Sequence, residues 1–282
     1  MHTRLFTLLI NPSKQIYLNI RNTKNIFLVL SKIKFMKSKI VLVFLFISAA
    51  IYAQEIDPIQ ADRPDQTETP AIVPLGMFQV EMGFTFQKND ALYKKNSLPT
   101  ALWKYGVTKN FELRLITEFL SEEIINEKVN GFSPIYIGFK VALTEEDGIV
   151  PKTSFIGHIG LPKAASNEYK TDFVFPKFRF VMQHSLSQKM SFSYNLGAEW
   201  DGFSPEPTFI YTVTTGYSIT EKLGSYIELF GFIPQIQQSN HSFDGGITYL
   251  INNNFMLDLS SGIGISENAP KNYIAFGFSY RR

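Results

Sequence analysis

From Phe78 onward the chain alternates. Phe78, Val80, Met82, Phe84 and Phe86 are separated by Gln79, Glu81, Gly83, Thr85 and Gln87. Strict period two gives a strand one apolar and one polar face, because successive side chains point to opposite sides. The same alternation returns at 101–107, 111–115, 135–143, 177–183, 190–200, 208–219, 255–265 and 274–280, and more weakly near 152–161, 223–233 and 243–251. Twelve strands are predicted.

The connections between them alternate as well. Short links are expected at 108–110, 145–151, 186–189, 220–222 and 252–254, and longer ones at 88–97, 119–131, 162–172, 201–206, 234–242 and 266–271. Short turns at one end and long loops at the other are the build of outer-membrane barrels. An even strand number puts both ends of the barrel on the short-turn, periplasmic side. A secreted sandwich also alternates, but two features favour the barrel. Large residues fill the apolar face of nearly every strand, with Trp103, Tyr105, Trp200 and Tyr217 near strand ends where an aromatic girdle would sit. The other face carries charges deep within the strands, and a closed sheet in lipid must turn such a face into its lumen. The expected fold is therefore all-β: a transmembrane antiparallel up-and-down β-barrel of about 12 strands over 77–282, preceded by an extended segment at 54–76.

Composition sharpens this. The 282 residues include 26 Phe and 13 Tyr, only 18% are charged, and there is no Cys. No disulfide scaffold, cysteine-bound metal or thiol nucleophile is available. A mean hydropathy of −0.02 excludes a polytopic helical membrane protein but not a barrel, whose strands hide their hydrophobicity by alternation. The formal charge of +2 divides unevenly. Eight of the 27 basic residues and none of the 25 acidic ones lie in 1–53, which leaves the rest at −6. An acidic chain of this kind gives no support to nucleic-acid binding. Within the basic region, Met36-Lys37-Ser38-Lys39 precedes the apolar run IVLVFLFISAA and then Ile51-Tyr52-Ala53. That is the layout of a secretory signal peptide. The expectation is a signal at 36–53 cleaved after Ala53, with 1–35 a mis-assigned upstream extension, and delivery to the outer membrane of a Gram-negative bacterium.

Lumen-facing charges expected on this register are Glu81, Glu112, Glu199, Glu228, Asp244 and Asp258 against Lys104, Arg114, Lys140, Lys177 and Arg179. Twelve strands leave a modest bore, since eight are already filled by side chains. A mixed ring of charges predicts weak ion selectivity, unlike the single-sign rings that select strongly. The segment 54–76 holds four Pro, at 58, 64, 70 and 74, which forbid a regular helix or central strand. The plain reading is a loose periplasmic leader; the sharper one has the segment fold into or across the periplasmic mouth as a gate, with Asp62, Arg63 and Asp65 pairing with lumen charges.

One family is similar in its residues. Ala61-Asp62-Arg63-Pro64-Asp65-Gln66-Thr67-Glu68, Pro74-Leu75-Gly76 and Gln79-Val80-Glu81-Met82-Gly83 resemble the start of the outer-membrane transporters filed under "MetA-pathway of phenol degradation", a group related to the barrel that exports functional amyloid subunits. Gly138-Phe139-Lys140, Glu145-Glu146-Asp147-Gly148 and Gly160-Leu161-Pro162 agree. The resemblance implies a twelve-stranded outer-membrane barrel with a transport role and names no substrate.

The function expected is passive passage of a small or medium solute, with no cofactor and no metal. Expected partners are outer-membrane lipid, the barrel-assembly machinery, an unidentified small-molecule solute and a second copy of the chain in a homo-oligomer. The rival is a structural or adhesion barrel with a blocked lumen. A lipid hydrolase is the remote alternative. His184 and Ser185 are adjacent, so on one strand they point to opposite faces and share no proton. His241 has Ser239 and Ser242 beside it and Asp244 as the one acid in range.

Overall fold

The computed structural model describes residues 56–90 and 92–282. The expected extension at 1–35 and the signal peptide at 36–53 lie outside the described residues. The alternating stretches become β1 (Phe78–Lys88), β2 (Tyr93–Thr108), β3 (Phe111–Ile124), β4 (Glu127–Phe132), β5 (Tyr136–Thr144), β6 (Lys152–Gly160), β7 (Phe175–Ser185), β8 (Met190–Glu199), β9 (Thr208–Ser218), β10 (Leu223–Pro234), β11 (Asn240–Asn252), β12 (Phe255–Gly264) and β13 (Asn272–Arg281). Sequence neighbours pair antiparallel, and β13 returns to β1 from Gln79↔Arg281 to Lys88↔Asn272. β3 pairs with β5 over 111–116 and with β4 over 119–124. β4 and β5 thus share one place in the wall, and the sheet closes as a twelve-place antiparallel barrel. Closure leaves no edge with unpaired backbone groups.

Two stretches expected as long loops, 88–97 and 119–131, are instead largely strand. β2 starts at Tyr93, and β3 and β4 form a hairpin through Ile125 (φ 50°) and Asn126 (φ 72°). Two successive left-handed residues make the tight turn whose twist matches its flanking strands. This hairpin lacks the apolar alternation because it stands in water. Polar pairs tie its first strand to β2: Lys94 to Glu123 at 3.1 Å and Lys95 to Glu122 at 3.6 Å. Leu98-Pro99 interrupts the pairing of β2, with the register shifting between Ser97 and Thr100. Proline has no N–H to give the ladder.

The outward face is apolar from strand to strand. Leu196, Ile227 and Ile263 are 55%, 58% and 55% exposed, and the closed sheet has no second layer to cover them. Hydrocarbon is the medium that suits such a surface. Rings bridge adjacent strands across it, with Phe84 and Phe276 5.4 Å apart and Phe155 and Phe180 5.1 Å apart. Tyr105, Tyr217, Tyr249 and Tyr280 are all exposed near the short-turn ends of their strands, where an aromatic girdle meets the interface. Trp200 sits at the opposite rim, its indole donating to the Pro205 carbonyl at 2.9 Å. Trp103, expected in the girdle, lies further in, its ring 5.9 Å from that of Phe78 and its indole donating to Thr117 at 3.2 Å.

A charge placed on this face measures its medium. Leu259, 45% exposed near the middle of β12, would be a harmless site for Arg in a soluble sheet. In lipid, Leu259→Arg lowers the unfolding free energy by about 2–4 kcal/mol, measured by denaturant titration of the barrel in bilayers.

Candidate functional site

Residues 57–76 enter the barrel from the short-turn end, cross the lumen and return to the same end. The way in is fixed at the rim. Arg281 Nη2 donates to the Asp57 carbonyl at 2.6 Å, and Ile59 N–H donates to the Asn253 carbonyl at 2.8 Å. Ile59 and Ala61 bury against Met256 and Leu250. The way out passes Gly106 of β2, where an added Cβ would stand 2.3 Å from the Val73 and Pro74 carbonyl oxygens. Only a residue without a side chain lets the backbone lie this close to the wall.

Four prolines keep the segment irregular, so its backbone cannot satisfy itself. Side chains of the wall do so instead. The N–H groups of Asp62, Gln66, Glu68 and Val73 donate to Glu81 (2.9 Å), Glu228 (2.8 Å), Asn195 (2.8 Å) and Glu112 (2.7 Å). The carbonyls of Gln66, Thr69 and Pro70 accept from Arg179 (2.8 Å), Lys140 (2.8 Å) and Ser154 (2.7 Å). The Thr67 hydroxyl lies among Thr212, Thr214 and Glu228.

Charge concentrates at Asp62. Its carboxylate receives Lys104 at 2.9 Å, Lys140 at 2.9 Å and Arg114 at 3.1 Å, and its Oδ1 also accepts the Thr69 N–H at 2.9 Å. Lys104 also pairs with Glu81, and Arg114 with Glu112 at 3.4 Å and Glu68 at 2.6 Å. Arg179 approaches Glu68 at 3.8 Å. Four acids and four bases therefore interlock out of water with no net charge. That balance is what burial requires, since an unpaired ion there is costly.

Arg63 turns the other way. Its guanidinium reaches Asp258 on β12, Nη2 to Oδ1 at 2.8 Å and Nε to Oδ2 at 3.3 Å. It gets there across two glycines. Gly83, Gly277 and Asp258 are successive register partners on β1, β13 and β12. A Cβ at Gly83 would stand 1.7 Å from the guanidinium, and one at Gly277 would stand 2.8 Å from it.

The sequence-predicted charges divide among several places. Glu81, Lys104, Glu112, Arg114, Lys140 and Arg179 gather with Asp62. Glu228 and Asp244 are register partners on β10 and β11, with the Tyr273 hydroxyl donating to Asp244, and Asp258 stands on β12 opposite Thr248, four residues along β11 from Asp244. Lys177 and Glu199 are register partners nearer the long-loop end, Lys177 lying 4.1 Å over the Tyr136 ring. The charges thus stand in three groups: the Asp62 cluster, the acids of β10–β12, and Lys177 with Glu199. Asp65 lies between the cavities described below. Thr67, Glu68, Asn195, Thr212, Ser154 and Arg281 escaped the sequence reading. Asn195, Thr212 and Ser154 are ordinary polar residues at inward strand positions, Arg281 lies near the C-terminus, and Thr67 and Glu68, read only as part of a motif, belong to the segment that crosses the lumen. His241 packs on the outward face, its Nδ1 2.9 Å from the Tyr211 hydroxyl, while Asp244 points inward. That acid does not orient this imidazole.

A family model described as "Putative MetA-pathway of phenol degradation" matches residues 61–281. No curated protein matches the chain. Among solved structures, the COG4313 outer membrane channel from Pseudomonas putida F1 is similar in fold, with a TM-score of 0.63 at 11% identity over 81% of this chain and 100% of that one. The NanC porin gives 0.50 at 9% identity over 72% and 98%.

Truncating Asp62 leaves three bases facing one another. Asp62→Ala is expected to destabilise the seated segment by about 3–5 kcal/mol, while the barrel itself stays folded. The readout is cleavage after Glu68 by a glutamate-specific protease, slow in the native protein and faster by orders of magnitude in the variant.

Proposed function

This chain belongs to the family described as "Putative MetA-pathway of phenol degradation", and from that premise we propose that it is an outer-membrane channel for passive passage of a small or medium solute, closed at rest by its own residues 57–76. One observation carries the reading: the segment lies inside the lumen and is bound there by wall side chains and not by its own backbone. A bond set of that kind dissolves one contact at a time and forms again, as a gate must. The similar structures are those of an outer membrane channel and a porin, which agrees in kind. Asp62, Arg63 and Asp65 act as the gate, and the charged walls that receive Asp62 and Arg63 are the constriction. Lipid surrounds the apolar belt, and the barrel-assembly machinery of a Gram-negative outer membrane inserts it.

A barrel blocked for good, serving structure or adhesion, is the second reading. The deep burial of Asp62, Lys104, Lys140 and Arg114 favours it. The two readings part when the segment is removed. Deleting 57–70 is expected to turn rare, brief openings in planar bilayers into a steady conductance, the variant being shown folded by its heat-modifiable migration. Unchanged conductance in that folded variant supports the blocked barrel.

A further inference from the structure

Two cavities flank the segment inside the barrel. One, of about 420 Å³, lies toward the short-turn end among hydroxyls such as Ser191, Ser193 and Thr248. The other, of about 440 Å³, lies toward the long-loop end against Glu118, Phe230, Phe232 and Tyr273. Arg63, Pro64 and Asp65 line both. Three residues are therefore the partition between the two ends of the lumen.

The partition is bound more weakly than what flanks it. Before it, Asp62 is locked by three bases; after it, Thr67 and Glu68 are tied to Glu228, Arg114 and Asn195. The partition has one ion pair, Arg63 to Asp258, and the Arg63 side chain is 17% exposed. A swing of the Arg63 side chain and its two successors joins the cavities without disturbing the Asp62 cluster.

The passage so opened is acidic. Asp65 lines both cavities, displacing Arg63 uncovers Asp258, and Glu228 and Asp244 lie just behind the lining, bonded to Thr67 and Tyr273, while the one lining lysine, Lys189, stands exposed at the short-turn mouth. Among the described residues, Arg63 is the one cation that pairs with any of these four. A second observation points the same way. The hydroxyl of Tyr226, a residue 9% exposed, and Oδ1 of Asp244, a residue 1% exposed, are buried on this wall without a hydrogen-bond partner. Carboxylates of one sign in a poorly solvated bore attract cations and exclude anions.

Resting on the closed-channel reading above, we infer that the solutes carried are small cations, and that Arg63 is a resident cation holding the Asp258 position until a mobile one replaces it. Lys104, Arg114, Lys140 and Arg179 of the opposite wall do not compete, because each is already paired within the Asp62 cluster, and Lys177 lies over the Tyr136 ring nearer the long-loop end.

The test is reversal potential in planar bilayers under a KCl gradient. Arg63→Ala is expected to raise conductance severalfold over wild type and to move the reversal potential toward that of K⁺. Arg63→Gln, which removes the charge but leaves a polar side chain in the glycine slot, should do the same more weakly. Adding Asp258→Asn or Glu228→Gln to Arg63→Ala should draw the reversal potential back toward zero. Arg63→Ala that conducts without preferring K⁺, or that prefers Cl⁻, overturns cation passage and leaves the gate standing. Arg63→Ala that stays silent while the 57–70 deletion conducts overturns the local partition. Silence in every folded variant overturns both this inference and the channel reading.

Discussion

A sheet that closes on itself has two faces and no third place to put anything. Once large apolar side chains take the outside, every buried charge on the strands is committed to the interior, where water is scarce and unpaired ions are unfavourable. The wall of this barrel commits more bases than acids on β2, β3, β5 and β7 and only acids on β10–β12. Neither wall is satisfied by its own side chains alone. The segment 57–76 supplies the missing partners: Asp62 and Glu68 to the basic side, Arg63 to the acidic side. Occlusion of the lumen and neutralisation of its walls are therefore the same event.

That coupling sets what motion is available. Withdrawing the whole segment would strand four bases against two acids on one side and leave backbone-accepting carboxylates empty on the other. Its departure is opposed at many points, including the rim contacts of Asp57 and the close passage at Gly106. Displacing Arg63 alone strands one carboxylate. The segment is thus anchored most heavily on either side of residues 63–65, which carry the single Arg63 to Asp258 ion pair.

Much of this was legible in period two. Alternation placed Glu81, Lys104, Glu112, Arg114, Lys140 and Asp258 inside, and four prolines marked 54–76 as a segment without its own ladder. The polar β3–β4 hairpin was not legible, since a strand wet on both faces has no alternation to read. Nor were the two walls. Inward direction follows from parity along a strand, but which charge meets which across the lumen depends on closure, tilt and the path of the segment. Gly83 and Gly277 read as ordinary small residues in strands. Their spacing in the sequence, from 83 to 277, hides that closure makes them neighbours under a single guanidinium.

The account stands on which medium wets each side of the wall. The chain has no Cys, so single cysteines can be placed along β12 from 257 to 263 and spin-labelled in lipid bilayers. The account predicts that labels at 257, 259 and 263 relax with dissolved oxygen and ignore a water-soluble nickel chelate, while those at 258 and 260 are shielded from oxygen. Equal accessibility along the strand, or nickel contact at 257, 259 and 263, would contradict it.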